Sequence, residues 1–241
     1  MKAESIHLKI TGTKRLIMHC GRLADPLDPI TKDLARLTSK RLKTEADHEE
    51  ISRVEWFGGL WLHNGKPCIP AEALMATFVE AARSRKRGPQ AEAGLVVEQH
   101  AALHYAGSTD MDELWKDEEF RLRVGVSVHG SRTMRTRPVF ADWSTEFTAF
   151  FLPTLLNRDE VYETYVIGGF LKGLGDWRPQ NGTYAVEIFE KQSSHRRGVA
   201  RRGMARSGVA RQGGESPKGD SPDPGKKRRP VQSAAEPASE S

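Results

Sequence analysis

An α+β fold is predicted for this chain: an antiparallel sheet with helices on one face, followed by a disordered C-terminal tail. Two features of the sequence carry that prediction. Alternating apolar stretches, the period of a half-buried strand, come in succession between residues 121 and 151 rather than singly between helices. The stretch from Arg158 to Phe189 then reads as helix, glycine-rich turn and closing strand, which fits the second half of a ferredoxin-like unit.

The first strand is "SIHLKI", with Ile6, Leu8 and Ile10 alternating against His7 and Lys9. "GTKRLIMHCGRLADPLDP" is mixed, and Pro26 and Pro29 make it loop-like around Asp25 and Asp28. Ile30 to Trp56 is charged and helical, with Leu34, Leu37, Leu42, Ile51 and Val54 as a thin apolar stripe. "GGLWLHNGKPCIP" predicts a hairpin turning at Asn64-Gly65. Pro70 opens a helix through "AEALMATFVEAARSRKR", and Gly88-Pro89 stops it. "GLVVEQHAALHY" is a strand with a ragged end. "STDMDELWKDEEF" is a short acidic helix capped by Ser108 or Asp110. "RLRVGVSV" is the cleanest alternation in the chain, and "HGSR" turns it into "TMRTRPVF". "WSTEFTAFFL" follows as a strand. "RDEVYETYVIGGFLKG" is an amphipathic helix with Val161, Tyr165 and Phe170 as buried candidates, and "TYAVEIF" closes the sheet.

The globular part is expected to span residues 1–190. Of the 37 basic and 32 acidic residues, 12 and 5 lie from Lys191 onward, so the tail carries +7 and the body −2. The tail, residues 191–241, is rich in Arg, Gly, Pro and Ser and nearly lacks large apolar side chains. Such a segment cannot bury enough surface to offset its ordering entropy. Its degenerate five-residue repeat, "RRGVA", "RRGMA", "RSGVA", sets successive arginines ~140° apart on a helix, so no single basic face forms. It reads as a flexible basic arm. No stretch has the ~20 apolar residues that span a bilayer, the N-terminus lacks a signal-peptide pattern, and Cys20 and Cys68 have no metal-ligand spacing. A cytoplasmic protein without membrane partner, metal or cofactor is expected.

The break from Gly168 to Gly182 carries Gly168, Gly169, Gly173, Gly175 and Gly182, with Lys172, Trp177 and Arg178 among them. Glycine permits positive φ and close backbone approach. Two readings stand open: a tight connection with Trp177 as a core plug, or a surface against which a phosphate chain lies, with Arg178 pairing and Trp177 stacking. Arg132, Arg135 and Arg137 fall on the predicted hairpin, opposite a strand bearing Arg121 and Arg123, and form a phosphate track or a solvated sheet face. Arg83, Arg85, Lys86 and Arg87 end a helix, where cations are favoured by its dipole alone.

Catalytic signals are sparse. His19 lies near Asp25 and Asp28, which admits a general-base or metal-assisted nuclease, but ordinary turn aspartates explain the same pattern. No P-loop, dinucleotide fingerprint or nucleophile elbow is present.

Three stretches, "IHLKITGTKRLIMH", "GKPCIPAEALMATFVEAAR" and "IGGFLKGLGDWRPQNGTYAVEIF", resemble the CRISPR-associated RAMP superfamily in its first strand, its Ile-Pro helix start and its glycine-rich loop with closing strand. The body also resembles small phage-encoded proteins with a "LADPLDPITK" stretch and a "GLGDWRP" loop. The superfamily resemblance implies an RRM-like sheet, a glycine loop near an RNA backbone, and assembly into a homo-oligomer or filament along one strand. Its cleaving members use a His or a loop Asp, and Asp25 and Asp28 lie in a comparable loop. The expected function is non-catalytic binding of single-stranded RNA or DNA. A ribonuclease and a structural or interaction protein of a phage particle are the alternatives.

Overall fold

The computed structural model describes residues 2–128 and 130–189; the basic tail expected from Lys191 lies outside them. The main sheet is built on β1 (Glu4–Gly12), whose Ile6, Leu8 and Ile10 are fully buried as their alternation requires. β10 (Tyr184–Ile188) lies on one side of β1 and β9 (Trp143–Phe151) on the other. β6 (Ala101–Tyr105) follows β9, then β4 (Lys66–Ile69) and β3 (Leu62–His63). The two-residue β5 (Leu95–Val96) also pairs with β9. Every pairing is antiparallel.

The long helices are α3 (Ala71–Ser84), after β4, and α6 (Arg158–Leu171), after β9. Taking β1, β6, β9 and β10 with these two, the chain runs β-α-β-β-α-β. Its strands sit in the spatial order fourth, first, third, second, the ferredoxin-like arrangement. α3 and α6 pack side by side and onto the sheet: the Tyr165 ring is 4.9 Å from Phe78 of α3 and 5.3 Å from Phe147 of β9.

Two insertions elaborate this frame. Between β1 and β3 lie β2 (Leu16–Ile17), α1 (Pro29–Thr38) and α2 (Glu45–Gly59). Between β6 and β9 lie the acidic helix α5 (Met111–Lys116), capped by Asp110, and the hairpin of β7 (Arg121–Val128) and β8 (Ser131–Phe140). β2, β8 and β7 form a second sheet, and α2 packs on β8. Here α4 is the short helix Gly88–Gly94.

Three expectations change. The helical pattern from Ile30 to Trp56 is two helices, because Thr44 and Asp47 form a reciprocal capping box that starts α2 afresh. Gly88-Pro89 does not stop α3, which ends at Ser84. Pro89 instead sits in the first turn of α4, where its missing N–H has no helical partner to lose. Phe170 is 79 % exposed rather than buried, because Gly168 and Gly169 take the inner face of α6 at that height.

Candidate nucleic-acid interface

The glycine break divides into two parts. Gly168 and Gly169 lie within α6. A Cβ on Gly169 would strike the Tyr184 carbonyl and ring, so this glycine lets the helix lie against β10. The remaining turn is closed by one internal hydrogen bond, Leu174 N–H to the Gly182 carbonyl at 2.8 Å, and by two to the segment after β1, Asp176 N–H to Ile17 O at 2.8 Å and Gly182 N–H to Arg15 O at 2.9 Å. Gly175 has φ +83° and a Cβ there would meet Ile17 O; Gly182 has φ +70° and a Cβ would meet Leu174 O. Gly173, also left-handed at φ +70°, faces the Gly182 carbonyl. The space beside these glycines is occupied by the chain's own backbone. The side chain that plugs the core is Leu174, 1 % exposed, while Trp177 is only half-buried. Arg178 lies 3.4 Å from Glu80, and Lys172 is half-buried.

The cations at the end of α3 join it to α6. Arg85 pairs with Glu163 at 3.2 Å and Arg87 with Glu160. The stem of Arg83 packs beside Gly88, and Lys86 sits at φ +61° in the turn between α3 and α4.

The hairpin separates its arginines by face. Residues directly opposite in an antiparallel pair project to the same side. Arg123 is opposite Thr136, Gly125 opposite Met134 and Ser127 opposite Arg132, so Arg121, Arg123, Met134 and Arg132 share one face. Arg135 and Arg137 share the other, opposite Val124 and Leu122. There they meet acids. Arg135 Nη1 donates to Oε1 of Glu55 at 2.5 Å, and the Thr136 N–H donates to Oε2 of the same carboxylate at 2.9 Å. Arg137 Nε lies 3.4 Å from Asp176 Oδ2. Of the three hairpin arginines, Arg132 is therefore a surface cation, and Arg135 and Arg137 hold the hairpin to α2 and to the glycine turn.

Asp176 also lies 3.5 Å from His19 Nδ1. Burial and the nearby Arg137 cation lower the His19 pKa below its ordinary value of 6.5, outweighing the opposing pull of Asp176. Asp25 and Asp28 serve the turn before α1. Asp25 accepts from the Leu27 N–H at 2.9 Å. Asp28 caps α1 through the Ile30 N–H at 2.8 Å and takes the Arg22 guanidinium at 2.9 Å, which holds its carboxyl below the usual range. The acid that the fold brings to His19 is thus Asp176. It comes from a loop more than 150 residues along the chain, which no spacing rule could have supplied.

Between α2 and the hairpin opens a groove of about 1320 Å³. Arg121, Arg123, Arg132 and Arg135 line its hairpin side. Arg121 stacks 4.7 Å over the Trp115 ring and pairs with Glu118 at 3.4 Å. Arg123 and Arg132 are exposed and make no ion pair among the described residues. Among the described residues no cluster of His, Cys, Asp and Glu gathers to hold a metal, and no helix is long and apolar enough to cross a membrane.

No protein-family model matches the chain, and no curated protein matches it.

Proposed function

We propose that this protein binds single-stranded nucleic acid, RNA included, without cleaving it, and that the strand lies in the groove between α2 and the hairpin. The observation that carries this reading is the pair Arg123 and Arg132: two exposed guanidiniums on one hairpin face, without acid partners, beside Trp115 and Met134. Phosphates answer the guanidiniums, and aromatic or apolar side chains take unstacked bases. The +7 tail adds sequence-independent attraction, the RAMP resemblance supports RNA as the natural strand and assembly along it, and the resemblance to phage-encoded proteins supports work in the cytoplasm of a bacterial host.

The test is the affinity of the full chain for labelled single strands at several salt concentrations. The Arg123→Ala/Arg132→Ala variant should bind at least about tenfold more weakly, each lost charge-assisted contact being worth ~1.5–3 kcal/mol. Its salt slope should fall by ~0.7 for each phosphate no longer neutralised. Unchanged affinity in that variant would falsify the groove as the binding surface.

His19 favours a second reading, a ribonuclease. An imidazole kept neutral near neutral pH beside Asp176 has the form of a general base that takes the proton of an RNA 2′-hydroxyl. Cleavage of RNA but not of DNA, lost in His19→Ala, would establish it.

A further inference from the structure

The groove carries exposed acids on its α2 side and exposed bases on its hairpin side; of the opposite charges that also line it, Lys43 is bound to the Lys40 carbonyl and Glu118 to Arg121. Glu45, His48, Glu49 and Ser52 stand on one side of α2, at the three- and four-residue spacing of a single helical face, and all four line the groove. Arg123 and Arg132 line the same groove from the hairpin. These acids and bases are not each other's partners. Among the described residues Glu45 and Glu49 make no ion pair, and neither do the two arginines. The groove instead closes at its floor, where buried Glu55 joins α2 to Arg135 and to the Thr136 N–H. A space of about 1320 Å³ thus holds exposed carboxylates and guanidiniums that are open to a ligand.

A basic wall alone would suit any polyanion. The acidic wall narrows the choice. A ligand that fits both must carry anions along one edge and hydrogen-bond donors along the other. A nucleic-acid strand does so when its phosphates lie on the hairpin and its bases point toward α2, but only if the base edges donate. Cytosine N4, adenine N6 and guanine N1 and N2 donate to a carboxylate. Uracil and thymine offer one ring N–H between two carbonyl oxygens, and those oxygens are repelled by the carboxylates.

We propose, resting on the nucleic-acid reading above, that Glu45 and Glu49 make the groove selective for strands whose bases carry amino groups and discriminate against uridine and thymidine. A carboxylate that accepts from cytosine N4 is a known form of base readout, and a good contact of that kind discriminates about fivefold or more.

The experiment compares oligocytidine with oligouridine of equal length at neutral pH. The two differ at the base edge in the amino group and the N3 proton, and both stack weakly. The parent chain, Glu45→Gln/Glu49→Gln and Arg123→Ala/Arg132→Ala are measured side by side, with thermal melting of each. All four positions are exposed or near-exposed surface, so melting should not change. The parent should favour oligocytidine by about fivefold or more. The glutamine variant should bring the ratio close to one, because an amide offers uracil O4 a donor. The arginine variant should weaken both strands alike and keep the ratio. Equal binding of both strands by the parent, with loss in the arginine variant, overturns the base selectivity and leaves the nucleic-acid reading standing. A glutamine variant that binds both strands more tightly at an unchanged ratio also overturns it, since the carboxylates would then act only by repulsion. No binding of either strand by the parent overturns both.

Discussion

Arg137 of β8 and Asp176 of the glycine turn lie 3.4 Å apart, Nε to Oδ2, and tie the hairpin to the connection between α6 and β10. The Arg137 side chain is only 10 % exposed, so its charge has little water to fall back on. Exposed ion pairs contribute ~0–1 kcal/mol, while removing one partner of a buried pair costs ~3–5. Asp176 is 26 % exposed, which places this pair between the two limits. Asp176→Ala should cost about 1–3 kcal/mol in equilibrium unfolding. The Asp176→Ala/Arg137→Met double variant should regain part of that loss, because no charge is then left unpaired. A double variant as unstable as the sum of the singles would show that the two residues do not act as a pair.

Gly182→Ala should destabilise the fold strongly. At φ +70° an alanine is strained, and its Cβ runs into the Leu174 carbonyl oxygen, which cannot move without breaking the turn. A loss of at least ~2–3 kcal/mol is expected. Gly21→Ala is the control. Nothing lies within 4 Å of its Cβ, and a change within about 0.5 kcal/mol is expected. Similar melting temperatures for the two variants would mean that the turn is not held as described.

The contrast between these glycines shows what the sequence made legible. The order of elements was readable, because the alternation of Ile6, Leu8 and Ile10 and the cap at Asp110 are local signals. That the chain breaks after α6 was readable too. Which side chain plugs the break was not. Leu174 and Trp177 are both apolar, and nothing local in the sequence tells that the leucine is the one buried. The hairpin arginines failed for a related reason. Arg135 and Arg137 stand two apart on one strand and so share a face, but which acids that face meets depends on where α2 and the glycine turn land. Glu55 gave no signal at all. It is one glutamate among several on a charged helix, and its role exists only because Thr136 and Arg135 arrive from 80 residues downstream.

Glu55 is accordingly the residue whose loss should do most harm to the groove. It is 2 % exposed and satisfies both a guanidinium and a buried backbone N–H. Glu55→Leu leaves both without a partner and should cost ~3–5 kcal/mol. Glu55→Gln keeps one acceptor and the side-chain shape, so a smaller loss, ~1–2 kcal/mol, is expected. If α2 and the hairpin form one binding surface, affinity for single strands should fall in Glu55→Gln even at temperatures where it is fully folded. Parent-like affinity in the folded Glu55→Gln protein would mean that the strand does not depend on the setting of that groove.

His19 provides a pH test of the network around Asp176. Its side chain is 41 % exposed, and Arg137, Asp176, Glu55 and Arg135 act on it. Burial and the two arginines disfavour the imidazolium, the two acids favour it, and the net shift is downward from 6.5. The unfolded chain therefore takes up a proton at a higher pH than the folded one. His19 contributes stability above 6.5, and that contribution is lost as pH falls from 6.5 through the lower folded-state value. The slope of stability against pH should flatten in this window when His19 is replaced by Asn. The ring's own titration, followed by NMR, should have a midpoint below 6.5. Asp176→Asn removes an acid and should push the midpoint lower still, while Arg137→Met removes a cation and should raise it. A midpoint at or above 6.5 in the parent would mean that the Asp176 contact outweighs burial. His19 would then be protonated at and below that pH, where it would act beside Asp176 as one more cation rather than as a base.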